Sequence, residues 1–179
     1  YGSGYCIFND LAICAFKSIK DYKNINKVLI IDLDVHQGDG TASILKNHRN
    51  IFTFSMHCEN NFPLKKMKSD LDIPLKKGMK DDQYLDILQK NIKTLKKSKF
   101  DLVLFQAGVD ILSKDSLGYL EISREGIKNR NEIVLEFARE KDLPLVVFMG
   151  GGYSKPIHHS VDAFVDLFIQ CSNYSDMIN

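Results

Sequence analysis

One run constrains this chain more than any other: Lys27-Val28-Leu29-Ile30-Ile31-Asp32-Leu33-Asp34-Val35-His36. Val28 to Ile31 is apolar throughout and rich in β-branched residues, which reads as a strand buried on both faces. Such a strand needs neighbours at both edges and layers above and below it. Its continuation alternates acid, apolar, acid, apolar, imidazole. Residues two apart on an extended chain face the same side, so Asp32, Asp34 and His36 are expected to converge at one strand end. Burying carboxylates is costly unless a cation or a hydrogen-bond network compensates them. The cluster therefore reads as a metal site or as a structural polar network.

Similar runs recur along the chain. Ile51-Phe52-Thr53-Phe54-Ser55-Met56, Leu102-Val103-Leu104-Phe105 and Pro144-Leu145-Val146-Val147-Phe148-Met149 read as further strands. Helices are predicted between them. One runs to about Lys20 behind Asn9 and Asp10, and a short one from Thr41 to about Lys46. An amphipathic helix capped by Asp81-Asp82 carries Leu85, Leu88, Ile92 and Leu95. Others span about Ser123 to Glu140, with Ile127, Ile133, Val134 and Phe137 buried, and about His159 to Gln170. The stretch from His57 to Lys80, with Phe62-Pro63 and Pro74, reads as a functional loop. Strands alternating with helices imply right-handed crossovers. The fold class expected is a three-layer α/β/α domain with a mostly parallel sheet. Ligands then gather at the carboxyl ends of the strands, where Asp34, His36, Ser55, His57, Asp110 and Tyr153 fall.

The length, 179 residues, suits one domain. With 24 basic and 23 acidic residues, the net charge of +1 argues against a dedicated nucleic-acid surface. No apolar run approaches the roughly 20 residues of a membrane-spanning helix. Cys6, Cys14, Cys58 and Cys171 are scattered without a Cys-x-x-Cys spacing, as free thiols of a reducing compartment are. A cytoplasmic location is expected, or a nuclear one in a eukaryote.

Asp110 follows another strand end, after Gln106-Ala107-Gly108-Val109. Alone it would be a bland loop residue. Beside Asp34 and His36 it completes a set of three ligands that leaves a metal position open for water and substrate. Gly150-Gly151-Gly152-Tyr153 presents one phenol on a glycine-rich turn, a motif that alone would be an ordinary strand-to-helix connection.

Four segments in this order carry a resemblance: Gly4-Tyr5-Cys6-Ile7-Phe8-Asn9-Asp10, Asp32 to Gly40, Gln106 to Asp110, and Gly151-Gly152-Tyr153. Together the chain resembles the zinc-dependent histone deacetylase superfamily, which has the arginase/deacetylase fold. His36-Gln37 and Ser69-Asp70-Leu71-Asp72-Ile73-Pro74-Leu75 resemble its class IV and bacterial branch. The resemblance implies that Asp34, His36 and Asp110 bind Zn2+. It implies that Asp32 and Asp39 orient two catalytic histidines, and that Asp32 and Ser55 surround a structural K+. Tyr153 would hydrogen-bond the substrate carbonyl and its developing oxyanion. Tyr5 and Phe62 would wall the acyl-lysine channel, with Gly4 and Gly151 keeping its floor and rim open.

The family's adjacent His-His pair belongs just upstream of the Gly-Tyr-Cys segment, and the sequence begins at Tyr1. Residues 1–179 are therefore expected to be a partial catalytic domain lacking that pair and the N-terminal part of the sheet, with little or no activity alone. His158-His159 follows Tyr153 and is out of family order, so it is not a substitute. His57 is expected to be structural and His48 exposed. The partner implied is an acyl-lysine protein or a small acylated amine such as an acetylpolyamine, with no direct nucleic acid and no membrane. Two alternatives stand beside hydrolysis by the whole enzyme: a catalytically dead module that binds metal or acyl-lysine, and one half of a split enzyme with its N-terminal half in trans. A two-manganese ureohydrolase fits less well, because Gly38 stands where a bridging aspartate is wanted. Iron(II) would also suit the ligand set.

Overall fold

A computed structural model describes the backbone of residues 2–178 and the side chains through residue 174. The elements are α1 (Asp10–Asp21), β1 (Val28–Asp32), α2 (Asp39–Leu45), β2 (Ile51–Cys58), β3 (Leu71–Leu75), α3 (Asp81–Leu95), β4 (Leu102–Gln106), α4 (Arg124–Glu140), β5 (Leu145–Phe148) and α5 (His158–Ile178). The strands form one parallel sheet in the order β3-β2-β1-β4-β5. From β1 the chain builds outward through β2 and β3, then returns to the other side of β1 with β4 and β5. The strand order thus reverses between β1 and β4, the switch point at which such sheets open a crevice.

The alternation of β1 divides the core. Leu29 and Ile31 face one side with Val103 and Phe105 of β4, and pack among Leu88 and Ile92 of α3, Ile127, Val134 and Phe137 of α4, and Leu167 of α5. Val28 and Ile30 face the other side with Leu102 and Leu104, under Leu11, Ala12 and Ala15 of α1 and Leu45 of α2. This gives the three layers expected, with a thicker core beneath α3, α4 and α5. On the thinner side Ile13, Phe16 and Ile44 are exposed, as is Val146 on the edge strand β5. No helix among the described residues is long and apolar enough to cross a membrane.

Several local expectations need correction. The stretch from His57 to Lys80 is not all loop: it contains β3, paired in parallel with β2. Pro74 sits in β3 because an edge strand has one side on which a missing N–H costs nothing. Asp81 and Asp82 lie inside the first turn of α3, whose N-cap is Lys80, and neither caps it through a side chain. Asp81 reaches instead to α4, accepting from the backbone N–H of Ser123 at 2.8 Å and from its hydroxyl at 2.5 Å. Ser123 in turn caps α4, its oxygen accepting from the N–H of Gly126 at 2.9 Å. β2 runs on to Cys58, α2 starts at Asp39, and α5 extends to Ile178.

Gly126 stands at the tight point of this junction. A Cβ there would lie 2.4 Å from Asp81 Oδ1 and 2.8 Å from Ile122 Cγ2. Gly to Ala inside a helix ordinarily stabilises by about 1 kcal/mol, but here the methyl strikes a carboxylate already fixed by Ser123. Gly126→Ala is expected to lower stability by about 1–3 kcal/mol, the range for overpacking. Urea unfolding followed by circular dichroism checks this, and an unchanged or raised midpoint contradicts it.

Candidate metal centre and its pocket

The acidic cluster forms where the crevice opens. β1 stops at Asp32, and residues 33–36 bend away from the strand rather than continuing its pleat. Successive aspartates make the bend: Asp32 Oδ1 accepts from the N–H of Asp34 at 3.1 Å, and Asp34 Oδ1 from that of His36 at 2.9 Å. Strand alternation therefore carries only Asp32. Turn geometry carries Asp34 and His36, and it separates Asp32 from them. Asp110 arrives from the loop after β4, anchored where its Oδ1 accepts from the N–H of Val35 at 2.9 Å.

Ligand atoms of Asp34, His36 and Asp110 all lie within 4.8 Å of one another. His36 Nδ1 is 3.0 Å from Asp34 Oδ1 and 3.1 Å from Asp110 Oδ2. Only the contact with Asp34 has hydrogen-bond geometry, so the fully buried Asp110 Oδ2 has no hydrogen-bond partner among the described residues. Such an orphan is costly in an apolar surrounding, and a cation held by the three residues would satisfy it. Gly151 closes the cradle. Its N–H donates to Asp34 Oδ2 at 2.7 Å, and a Cβ there would meet Asp110 Oδ2 at 2.0 Å. The residues present therefore fit a small divalent ion.

The electrostatics agree. Burial works against a charged imidazole at His36, yet Asp110 and Asp34 overcome it and raise its pKa to about 10. Burial, with the charge of Asp34, raises Asp110 to about 7. Burial and the neighbouring Asp34 also push Asp32 well above the usual carboxylate range. Asp34 goes the other way: its bonds to His36 outweigh burial and lower its pKa.

A cavity of about 830 Å3 opens over the cluster, lined by residues that include Tyr5, Asp32, Asp39, Phe62, Tyr119 and Tyr153. The Tyr153 ring stands 5.8 Å from that of Tyr5 and 6.4 Å from that of His36, and Phe62 stands 6.3 Å from His36. Burial and the charges of Asp34 and Asp110 raise the Tyr153 phenol to about 12, so it keeps its proton. Gly4 and Tyr5 both take left-handed backbone, at φ 57° and 63°. Asp39 begins α2 at the cavity wall. Ser55 pairs in register with Asp32, but its hydroxyl lies 2.9 Å from His57 Nδ1. Burial lowers His57 to about 4, which makes it a neutral, structural histidine. His48 is exposed against Phe16, and His158 and His159 begin α5 away from the cavity lining.

Asp115 carries little signal in the sequence. Its carboxylate accepts from the N–H of Tyr153 at 2.6 Å and from those of Leu117 and Gly118 at 2.8 Å, which fixes the phenol-bearing turn. The only trace is Asp115-Ser116-Leu117-Gly118, a turn pattern common to many surface loops.

With its pKa raised to about 10, His36 must lose a proton before it can hold an ion, because only neutral imidazole is a ligand. Between pH 7 and 10, divalent-metal binding is expected to release about one proton, with affinity rising about tenfold per pH unit. Below about 7 protonated Asp110 steepens the fall, and above about 10 the dependence flattens. Calorimetry in buffers of different ionisation enthalpy counts the protons, and a pH-independent affinity across that window contradicts the assignment.

Comparison with known proteins gives a consistent result. A family model described as a histone deacetylase domain matches residues 1–168. An uncharacterized protein of Picosynechococcus sp. is 48% identical over 162 residues, covering 90% of this chain and 54% of that protein. Histone deacetylase 2 of Arabidopsis thaliana is 36% identical over 161 residues, covering 86% of this chain and 41% of its own length. The chain thus spans about half the length of these relatives. Among solved structures, a histone deacetylase homolog from Aquifex aeolicus superimposes with a TM-score of 0.83 at 25% identity, over 96% of this chain and 48% of that one. A homolog solved in complex with SAHA gives 0.74 at 27% identity, over 84% and 43%. On the family match, the fold and the conjunction of these residues, the chain belongs to the histone deacetylase family.

Proposed function

We propose that the chain forms the metal-binding and oxyanion-binding part of a zinc-dependent deacylase that hydrolyses the amide of an Nε-acyl-lysine. The observation that carries this reading is the convergence of Asp34, His36 and Asp110 beside a protonated phenol in an aromatic-walled cavity. Two carboxylates and one imidazole supply three ligands of a catalytic zinc and leave a position open. Bound there, zinc would polarise a carbonyl and acidify a water.

The protein's own groups do the rest. Tyr153, held by Asp115 through its backbone, donates its O–H to the oxygen on which charge develops, a contribution of about 3–4 kcal/mol by analogy with other oxyanion donors. Tyr5 and Phe62 flank a narrow aliphatic stem. Asp32 and Asp39 stand in the same cavity as acceptors able to orient proton-carrying imidazoles. A structural K+ beside Asp32 and Ser55 belongs to this proposal, supported by their register pairing. The channel would also admit a small acylated amine of the acetylpolyamine type.

His36 is the one histidine among the described residues lining the cavity, and it belongs to the ligand set. We infer that the general base and acid come from polypeptide beyond these 179 residues, in cis or as an N-terminal half in trans. Loss of a general base costs on the order of 10²–10⁴-fold in rate. The chain alone is therefore expected to release acetate from an acetyl-lysine peptide at least about 100-fold more slowly than the chain joined to the remaining part of a related domain. Equal zinc-dependent turnover by the chain alone, abolished by Asp110→Ala, overturns this.

In the completed domain, Tyr153→Phe is expected to lower kcat about 10²–10³-fold with little change in KM. Steady-state kinetics on the same peptide test this. Unchanged kcat removes Tyr153 from the chemistry.

A further inference from the structure

Arg130 of α4 is fully buried, and no obvious role follows from its place in the sequence. Among the described residues, its hydrogen-bond partners are neutral oxygens. Nη1 donates to the carbonyl of Gly108 at 2.6 Å and to that of Leu33 at 3.4 Å, and Nη2 donates to the carbonyl of Ala107 at 3.3 Å. Nε and Nη2 donate to Asn131 Oδ1 at 3.0 and 2.7 Å. Asn131 is itself fixed, its Nδ2 donating to Gln170 Oε1 of α5 at 2.9 Å. The guanidinium lies over the Phe105 ring, with the buried Tyr84 hydroxyl nearby but short of hydrogen-bond geometry.

A buried guanidinium with no carboxylate hydrogen-bonded to it among the described residues is expensive, even with the charges of Asp110 and Asp34 nearby, so its position needs a reason. Leu33 immediately precedes Asp34, and Ala107-Gly108 leads into Asp110. One planar fork therefore grips the two backbone turns that carry the acidic ligands, on either side of the switch point. Across the same gap the N–H of Val35 donates to Asp110 Oδ1. We infer that Arg130 is a positioning residue that sets the separation of Asp34 and Asp110, with Asn131 and Gln170 aiming it. The inference rests on the reading that Asp34, His36 and Asp110 hold a metal. The fork matters more than the charge: a lysine ammonium keeps the charge but cannot reach two turns with a rigid pair of donors.

The test is Co2+ titration of the 179-residue chain, read by visible absorption, for the wild type, Arg130→Lys and Asn131→Ala. Circular dichroism monitors folding throughout. Wild type should bind Co2+ with bands of low coordination number. Folded Arg130→Lys should bind about 10–100-fold more weakly, the usual effect of losing support behind a metal ligand, with an altered band envelope. A purely structural arginine would move the unfolding midpoint and leave cobalt affinity and spectrum unchanged, which overturns the inference alone. A wild type that takes up no cobalt overturns the metal reading and this inference with it. Should Arg130→Lys not fold, Asn131→Ala carries the test, since it keeps the guanidinium but removes the oxygen that aims it. Weaker cobalt binding by that variant supports the inference, and affinity equal to wild type overturns it.

Discussion

Everything at the carboxyl end of this sheet answers one constraint: carboxylates of two adjacent strand ends are held close together and out of water. Asp34 and Asp110 share a single imidazole between them, and Asp32 stands behind Asp34 with its pKa raised. Like charges so placed repel strongly in a low dielectric. The fold meets this with backbone N–H groups of Val35, His36 and Gly151 directed at carboxylate oxygens, and with a protonated His36. Asp110 Oδ2, 3.1 Å from His36 Nδ1, is nevertheless left without a hydrogen bond among the described residues. The protein's own groups nearly neutralise the site, and what remains is a place for a cation.

The topology explains why the cluster sits where it does. A parallel sheet directs all its strand ends the same way, and its reversal between β1 and β4 leaves a crevice instead of a crossing helix. β1 delivers the bend with Asp34 and His36, β4 delivers Asp110, and the loop after β5 delivers Gly151 and Tyr153 across that crevice. α1 and α2 cover the opposite sheet face more thinly, with Ile13, Phe16 and Ile44 exposed. The histone deacetylase homolog from Aquifex aeolicus carries roughly twice this chain's length on the same fold.

Much of this was legible in the sequence because the signals are short-range and extreme. Val28 to Ile31 admits little but a buried strand, and Asp32 and Asp34 after it call for a compensated site. β3 was hidden because Pro74 and the flanking lysines resemble loop chemistry, and only its edge position makes them acceptable. The bend at residues 33–36 was hidden because alternation in sequence suits both a pleated strand and consecutive aspartate turns. Asp81 departs from the capping role its place suggests because an acid at a helix start is ordinarily local, whereas its partner Ser123 lies 42 residues away. Arg130 left no trace at all. On a helix its charge suggests solvent, and only the packing of α4 on the ends of β1 and β4 shows otherwise.

The hydrogen bond from Val35 to Asp110 joins residues 75 apart in the chain. Closing so long a loop has an entropic cost that must be met before the two ends reward each other. Until β4 has docked beside β1, Asp34 and His36 offer an ion only a weak two-point grip, and Asp110 is elsewhere. A bound ion would therefore act on central strands already in register, as a latch on their separation and not as the seed of the fold.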